Sequence, residues 1–241
     1  MKIAVTILCL LAAGLLCGCS TPSAQSLADN DPWEKTNRDI FAFDVWVQHN
    51  IARPVGKGYR TVLPEPARDG IHNLVTNLHS PIVLANDALQ GDRKAFDTFG
   101  RLIINTTIGI GGLIDVAGKL GIPGHDNDFG ITLGQNGVAE GSYLVLPIFG
   151  PLPPRDLVGA GVDGFFDPLT WAHFQDKASW MLLRGGLRVL DVVDRQQEQF
   201  DTIERTSIDL YATTRNLYRQ SRNAKINDGK PSSASDDLPN L

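Results

Sequence analysis

The sequence predicts an all-α protein, and three observations carry that reading. Across residues 176–222 the apolar residues Trp180, Leu183, Leu187, Leu190, Val193, Phe200, Ile203, Leu210 and Leu217 recur at three- and four-residue spacings or their multiples, with charges between them. That is the period of one helix face. Phe41, Val45, Gln48 and Ile51 repeat in the same way, and Phe43, Trp46 and Val47 widen the stripe; a helix apolar over so much of its circumference is buried or lies in lipid. The one run that reads as a strand, Tyr143 to Phe149, has no sheet to join.

At the N-terminus, Lys2, the apolar stretch 3–16 and Gly18 have the layout of a secretory signal, and the stretch is too short to span a bilayer. Leu16-Cys17-Gly18-Cys19 places Leu three residues before a cysteine and a small residue directly before it, which makes Cys19 the expected lipidation site. Cleavage before Cys17 would put bulky Leu16 at the cut, and an ordinary cleaved signal is the competing reading. Each buried acyl methylene contributes about 0.8 kcal/mol, so several chains on Cys19 would hold a domain on a membrane almost permanently. Ser20, not Asp, follows the cysteine, which favours the outer membrane. The expected organisation is a signal over 1–18, a lipidated tether over 19–30, a domain over 31–222 and a disordered tail over 223–241.

Asp31-Pro32 followed by Glu34 reads as a capped helix start. Arg53-Pro54 is expected to end that helix and Pro64-Glu65-Pro66 to mark a bend, with further helices over 68–78, 82–90 and 93–105. Residues 107–124 are apolar but carry six glycines, and each costs a helix up to about 1 kcal/mol against Ala. Short helices joined by turns are expected there. Residues 143–149 read as an extended segment or loop, and residues 176–222 as one long amphipathic helix with a break near Gly185-Gly186.

The chain of 241 residues has a net charge of −5, which argues against a nucleic-acid surface. Cys9 and Cys17 would leave with the signal and Cys19 would be acylated, so no disulfide is expected. Enzyme motifs fare badly. Asp128-Phe129-Gly130 matches the kinase metal-binding tripeptide without any accompanying kinase element, and Gly109-Ile110-Gly111-Gly112 lacks the third glycine of a dinucleotide loop. His125-Asp126-Asn127-Asp128 offers metal-ligand chemistry, but His49, His72, His79 and His173 are scattered, so a solvated loop is expected. The chain reads as a non-enzyme without metal or cofactor.

Apolar segments interrupted by Gly and Pro either form an ordinary core or lie in the plane of a bilayer. A set of ordered motifs bears on that choice: Asp31-Pro32-Trp33-Glu34-Lys35-Thr36-Asn37-Arg38, Phe41-Ala42-Phe43-Asp44, Arg53-Pro54-Val55-Gly56, Asn86-Asp87-Ala88-Leu89-Gln90-Gly91, Gly100-Arg101-Leu102 through Ala117, Asp128-Phe129-Gly130-Ile131-Thr132, Arg155-Asp156 and Asp209-Leu210-Tyr211. This series resembles the MlaA (VacJ) family of outer-membrane lipoproteins over nearly the whole of residues 31–222. The resemblance implies a ring-like helical assembly around a central amphipathic channel, seated in the inner leaflet of the outer membrane beside a trimeric porin. It further implies that phospholipid strayed into the outer leaflet is passed to a soluble periplasmic carrier of the MlaC type, without catalysis.

On that resemblance Phe41, Phe43 and Trp46 are candidates for a membrane-facing helix, as is the segment 95–120. Gly137 and Gly141 match a loop that shapes and gates the pore; tight turns are the competing explanation of these glycines. Two departures stand out: Asp44 replaces the Asn of many members, and Pro151-Leu152-Pro153-Pro154 alters the approach to Arg155-Asp156. A structural lipoprotein that scaffolds membrane proteins without moving lipid is the alternative function.

Overall fold

The computed structural model describes residues 22–227. The expected signal, the Leu16–Cys19 site and most of the expected tail lie outside the described residues. Eleven helices and one two-stranded hairpin are described, and none of these helices is long and apolar enough to cross a membrane.

Structure begins earlier than Asp31. Ser23 accepts a hydrogen bond from the Ser26 amide and caps α1, Ala24–Ala28, inside the expected tether. α2 spans Glu34–Val47, three residues beyond the expected cap. The helix does not stop at Arg53-Pro54. A π-helical turn, Gln48–Ala52, carries the chain into α3, Arg53–Val62; Pro54 falls in the first turn of α3, where a missing N–H is tolerated. The bend at Pro64 is real, but the two helices expected after it are one, α4, Glu65–Gln90, running through Pro81. Burial of Ile82, Val83 and Asn86 just beyond the proline offsets the interior-proline cost of about 3 kcal/mol.

α5, Lys94–Thr107, packs along α4. Residues 108–115 form turns, followed by the single turn α6, Val116–Lys119. Asp128 caps α7, Phe129–Gln135, by accepting from the Ile131 amide at 2.9 Å. The apolar run folds back on itself: β1, Val145–Leu146, pairs antiparallel with β2, Gly150–Pro151, so its sheet partner is its own continuation. α8, Pro154–Phe166, and α9, Pro168–Trp171, follow. The long C-terminal helix is two. α10, Lys177–Thr206, passes through Gly185-Gly186 unbroken, and the break falls at 207–209, where Asp209 caps α11, Leu210–Ile226. Helix therefore persists past 223, where disorder was expected.

What joins these helices is polar. Among the described residues eight hydrophobic side chains are buried against sixteen polar or charged ones, the reverse of an ordinary core. Asp31, fully buried, does not cap α2. Its carboxylate accepts from Asn37 at 2.8 Å, from Arg215 at 2.9 Å and from the Tyr211 hydroxyl. Asn37 also donates to the Tyr143 carbonyl at 3.0 Å and accepts from the Val145 amide at 3.0 Å, so one cluster binds α2, the hairpin and α11. Asp194 of α10 accepts from Arg60 of α3 at 2.6 Å and Arg68 of α4 at 2.7 Å. Arg222 of α11 reaches both Asp128 at 2.6 Å and Asp156 at 2.7 Å.

Removing one member of a buried ion pair leaves its partner desolvated and costs about 3–5 kcal/mol. Asp31→Ala is accordingly expected to lower unfolding free energy by about 3 kcal/mol, read by urea denaturation in detergent followed by circular dichroism. A loss under about 1 kcal/mol, the worth of an exposed pair, would remove Asp31 from its central role.

Candidate functional site

Two adjoining cavities lie between α4, α10 and the loop 120–128. The larger, about 790 Å³, is lined by His72, Val75, His79, Arg101, Asp115, Asp126, Arg188 and Asp191 among others. The second, about 410 Å³, lies toward the hairpin and α8, where Leu152, Asp156, Asp163 and Arg222 contribute. His79, Asp126 and Arg188 line both and so stand at their junction. A third cavity, about 320 Å³, opens beside α11 and shares His125 and Asp126 with the first. The three cavities adjoin one another as a branched passage with charged groups on its walls and Asp126 common to all three.

The walls are built by local rules. Asp87 of α4, fully buried, accepts from Thr98 of α5 at 2.7 Å and from Asn127 at 2.7 Å, with His125 Nε2 at 2.8 Å. Burial opposes its charge, yet the hydrogen bonds from His125, Asn127 and Thr98 hold its carboxyl below the usual range. This anchors loop 120–128 over the passage. Arg101 fixes the other end of the loop, donating to the Ile122 carbonyl at 2.6 Å and pairing with Asp115 at 2.9 Å. His125, Asn127 and Asp128 thus have structural partners, and no group of three or more His, Cys, Asp or Glu among the described residues is arranged to hold a metal ion.

His79 is different. Its Nδ1 is buried without a hydrogen-bond partner and its Nε2 lies 3.7 Å from Asp126. Burial, reinforced by the charge of Arg188, pushes its pKa down, so the ring is neutral at pH 7.

Parts of the outside of the molecule are strongly apolar. Phe43 and Trp46 stack at 6.2 Å on the exposed face of α2. Phe96, Phe99 and Ile103 of α5 are exposed, as are Ile108, Ile110 and Leu113 in the following turns. Phe41 leaves the candidate membrane-facing set. It turns inward and meets the Tyr211 ring edge-on at 5.6 Å, beside Tyr143. Gly137 and Gly141 both adopt positive φ, +81° and +80°. Around Gly137 there is open space, whereas a Cβ on Gly141 would approach Pro154 at 3.1 Å.

The hairpin tip, which periodicity did not resolve, joins inside to outside. Ile148 and Phe149 project outward, about three-quarters exposed. Ile148 has φ +73°, a strained value for a β-branched residue, and its amide donates to Asp44 at 2.7 Å. The other Asp44 oxygen is buried without a partner.

The sequence reading passed over His79 and Arg188 and took Asp126 for a solvated loop residue. The available signal was Arg184 and Arg188, four residues apart and hence on one face of an otherwise apolar helix turn.

Such an architecture, with charge buried between helices, large apolar side chains outward and charge-lined cavities between them, suits a class of helical proteins that work at a membrane. Within that class, the family model for MlaA lipoprotein matches residues 29–225, and the chain belongs to that family. It is 34% identical to the intermembrane phospholipid transport system lipoprotein MlaA of Haemophilus influenzae, over 99% of this chain and 97% of that protein. It is likewise 34% identical to the protein of that name from Escherichia coli K12, over 91% and 88%. A solved structure from work on the structural basis for maintenance of bacterial outer membrane lipid asymmetry superposes with a TM-score of 0.72 at 32% identity. It covers 81% of this chain and 98% of that one.

Asp44 gives a pH test. Burial raises its pKa above that of an ordinary aspartate carboxyl, opposed by the Ile148 amide. An acid raised in the folded state contributes stability below its unfolded pKa and loses it as pH rises through the folded value. Asp44→Asn keeps the acceptor for Ile148 without the charge, so thermal melts should show it more stable than the parent at pH 7. That gain should vanish near pH 3. A gain independent of pH would mean Asp44 carries no buried charge.

Proposed function

We propose that the protein takes phospholipid from the outer leaflet of the outer membrane through the branched passage and hands it to a soluble periplasmic carrier, so maintaining lipid asymmetry. The observation that carries this reading is a set of adjoining cavities with charged groups on their walls, set beside exposed apolar faces of the helices. A charged headgroup is costly to move through hydrocarbon and its tails are costly to move through water. A passage carrying charged groups on partly apolar walls, bounded by surfaces that accept acyl chains, lowers both costs. The names of the relatives, a phospholipid transport system and outer-membrane lipid asymmetry, support the same reading.

In this proposal Cys19 is the lipid anchor and the helices form a ring around the passage. Phe43, Trp46, Phe96 and Phe99 sit in the inner leaflet, a trimeric porin supplies access to the outer one, and the carrier is MlaC-like. The chain works as a conduit, not an enzyme. Gly137 and Gly141 serve as hinges of the loop that leads into the hairpin, since positive φ is open to glycine at little cost.

Two experiments test it. Phe96→Ser with Phe99→Ser should cost a Cys19-free protein about 3 kcal/mol of membrane transfer, roughly a hundredfold in partitioning, measured by flotation with phosphatidylethanolamine/phosphatidylglycerol vesicles. Unchanged flotation would place those phenylalanines away from lipid.

In cells, surface-exposed phospholipid should rise on deletion and return to normal with the wild-type gene but not with Cys19→Ala. Gly141→Val, strained by about 1–2 kcal/mol at positive φ, should also disturb it. If Gly141→Val and deletion both leave surface phospholipid unchanged, the protein is a scaffold.

A further inference from the structure

Of Arg101, Arg188, Arg222 and Lys225, which line the cavities, one makes no hydrogen bond or ion pair with a described residue, although it lies near enough to Asp126 to act on it electrostatically. In the larger cavity Asp115 pairs with Arg101, Asp126 with Lys225 at 2.9 Å, and Asp191 with His72 at 2.9 Å. In the second, Asp128 and Asp156 pair with Arg222, and Asp163 accepts from Asn86 at 2.8 Å and from the Phe129 amide. Arg188 lines both cavities at their junction and is exposed to them, yet it makes no hydrogen bond or ion pair with any described residue. Its neighbour Arg184, one turn earlier on α10, is fully committed to Asp167 and to the Leu78 carbonyl at 3.1 Å. That contact pins α10 against α4 one residue before His79 and fixes the base from which Arg188 projects.

We infer that Arg188, with His79 beside it, is the point in the passage that recognises the phosphodiester of a lipid headgroup. A guanidinium presents a planar fork that matches two phosphate oxygens, and a single positive charge without a hydrogen-bond or ion-pair partner suits a singly charged diester. The buried, unpartnered Nδ1 and loosely held Nε2 of His79 give a neutral ring able to donate one further hydrogen bond. Cavities on either side of the pair leave room for the glycerol on one side and the headgroup alcohol on the other. This assignment rests on the phospholipid-transport reading and names the residues that would read its cargo.

The test uses the lipidated protein in detergent, challenged separately with phosphatidylglycerol, diacylglycerol of the same chains, and inorganic phosphate, with bound species counted by native mass spectrometry. Arg188→Ala should retain at least tenfold less phosphatidylglycerol than wild type, Arg188→Lys should recover part of the loss, and diacylglycerol should bind both proteins equally. Because Arg188 has no partner to lose, the melting temperature should not move. Equal retention of phosphatidylglycerol by wild type and Arg188→Ala overturns the assignment. Occupancy by inorganic phosphate without phosphatidylglycerol overturns it too, as a free-anion site.

Complementation separates the two claims. If the wild-type gene restores lipid asymmetry and Arg188→Ala does so equally, the Arg188 assignment fails alone; if wild type itself restores nothing, the transport reading fails.

Discussion

Buried carboxylates, each shared by arginines or amides from different helices, are the constraint on which this structure depends. Asp31 joins the N-terminal segment, the hairpin and α11; Asp194 joins α3, α4 and α10; Asp87 joins α4, α5 and the loop above the passage. Ion pairs of this kind gain little over hydrophobic replacements, but breaking them is expensive. Their use has a geometric consequence. Helices held edge to edge by polar clasps need no common oily centre, so their apolar residues are free to face outward and the space between them can stay open and carry charged groups. An exterior carrying Phe43, Trp46, Phe96 and Phe149 and an interior carrying Asp126 and Arg188 follow from one choice of glue.

The hairpin shows how inside and outside are linked. Its base is tied to Asn37 and Asn30, within reach of the Asp31 cluster. Its tip is held to α2 by the Asp44 to Ile148 contact, with an isoleucine kept at a backbone angle it rarely adopts. Strain of this sort persists only where the surroundings over-determine it. Here those surroundings are the Asp44 acceptor on α2 and the antiparallel pairing of β1 with β2 at the base of the tip.

Sequence patterns made local structure legible and left tertiary overrides hidden. The bend at Pro64, the helix near 93–105 and the turn-rich 107–124 segment could all be read because each is decided by a few neighbouring residues. Pro54, Pro81 and Gly185-Gly186 were read as breaks and are not. At Pro54 a π-helical turn and at Pro81 burial supplied what the local sequence lacked; Gly185-Gly186 lie on an exposed stretch of α10 with nothing packed against either, and the true break at Ser207-Ile208-Asp209 was marked only by a capping Asp. Phe41 and Phe43, two residues apart, cannot share one face of a helix, so the outward assignment of both was internally strained, and the structure turned Phe41 inward. His79 and Arg188 were invisible as a pair because a site made of one residue from each of two helices more than a hundred residues apart has no spacing to detect.

A passage meant for transit must bind its cargo well enough to admit it and weakly enough to release it. A cluster of arginines would trap a phosphodiester; a wall with every charge matched would offer it nothing. One arginine without a hydrogen-bond or ion-pair partner among the described residues, beside a neutral histidine, lies between those limits. The third cavity beside α11 is separated from the junction by Asp126, whose partner Lys225 is an exposed residue near the end of a helix. An exposed pair of that kind is worth at most about 1 kcal/mol. The branch can therefore open at little cost.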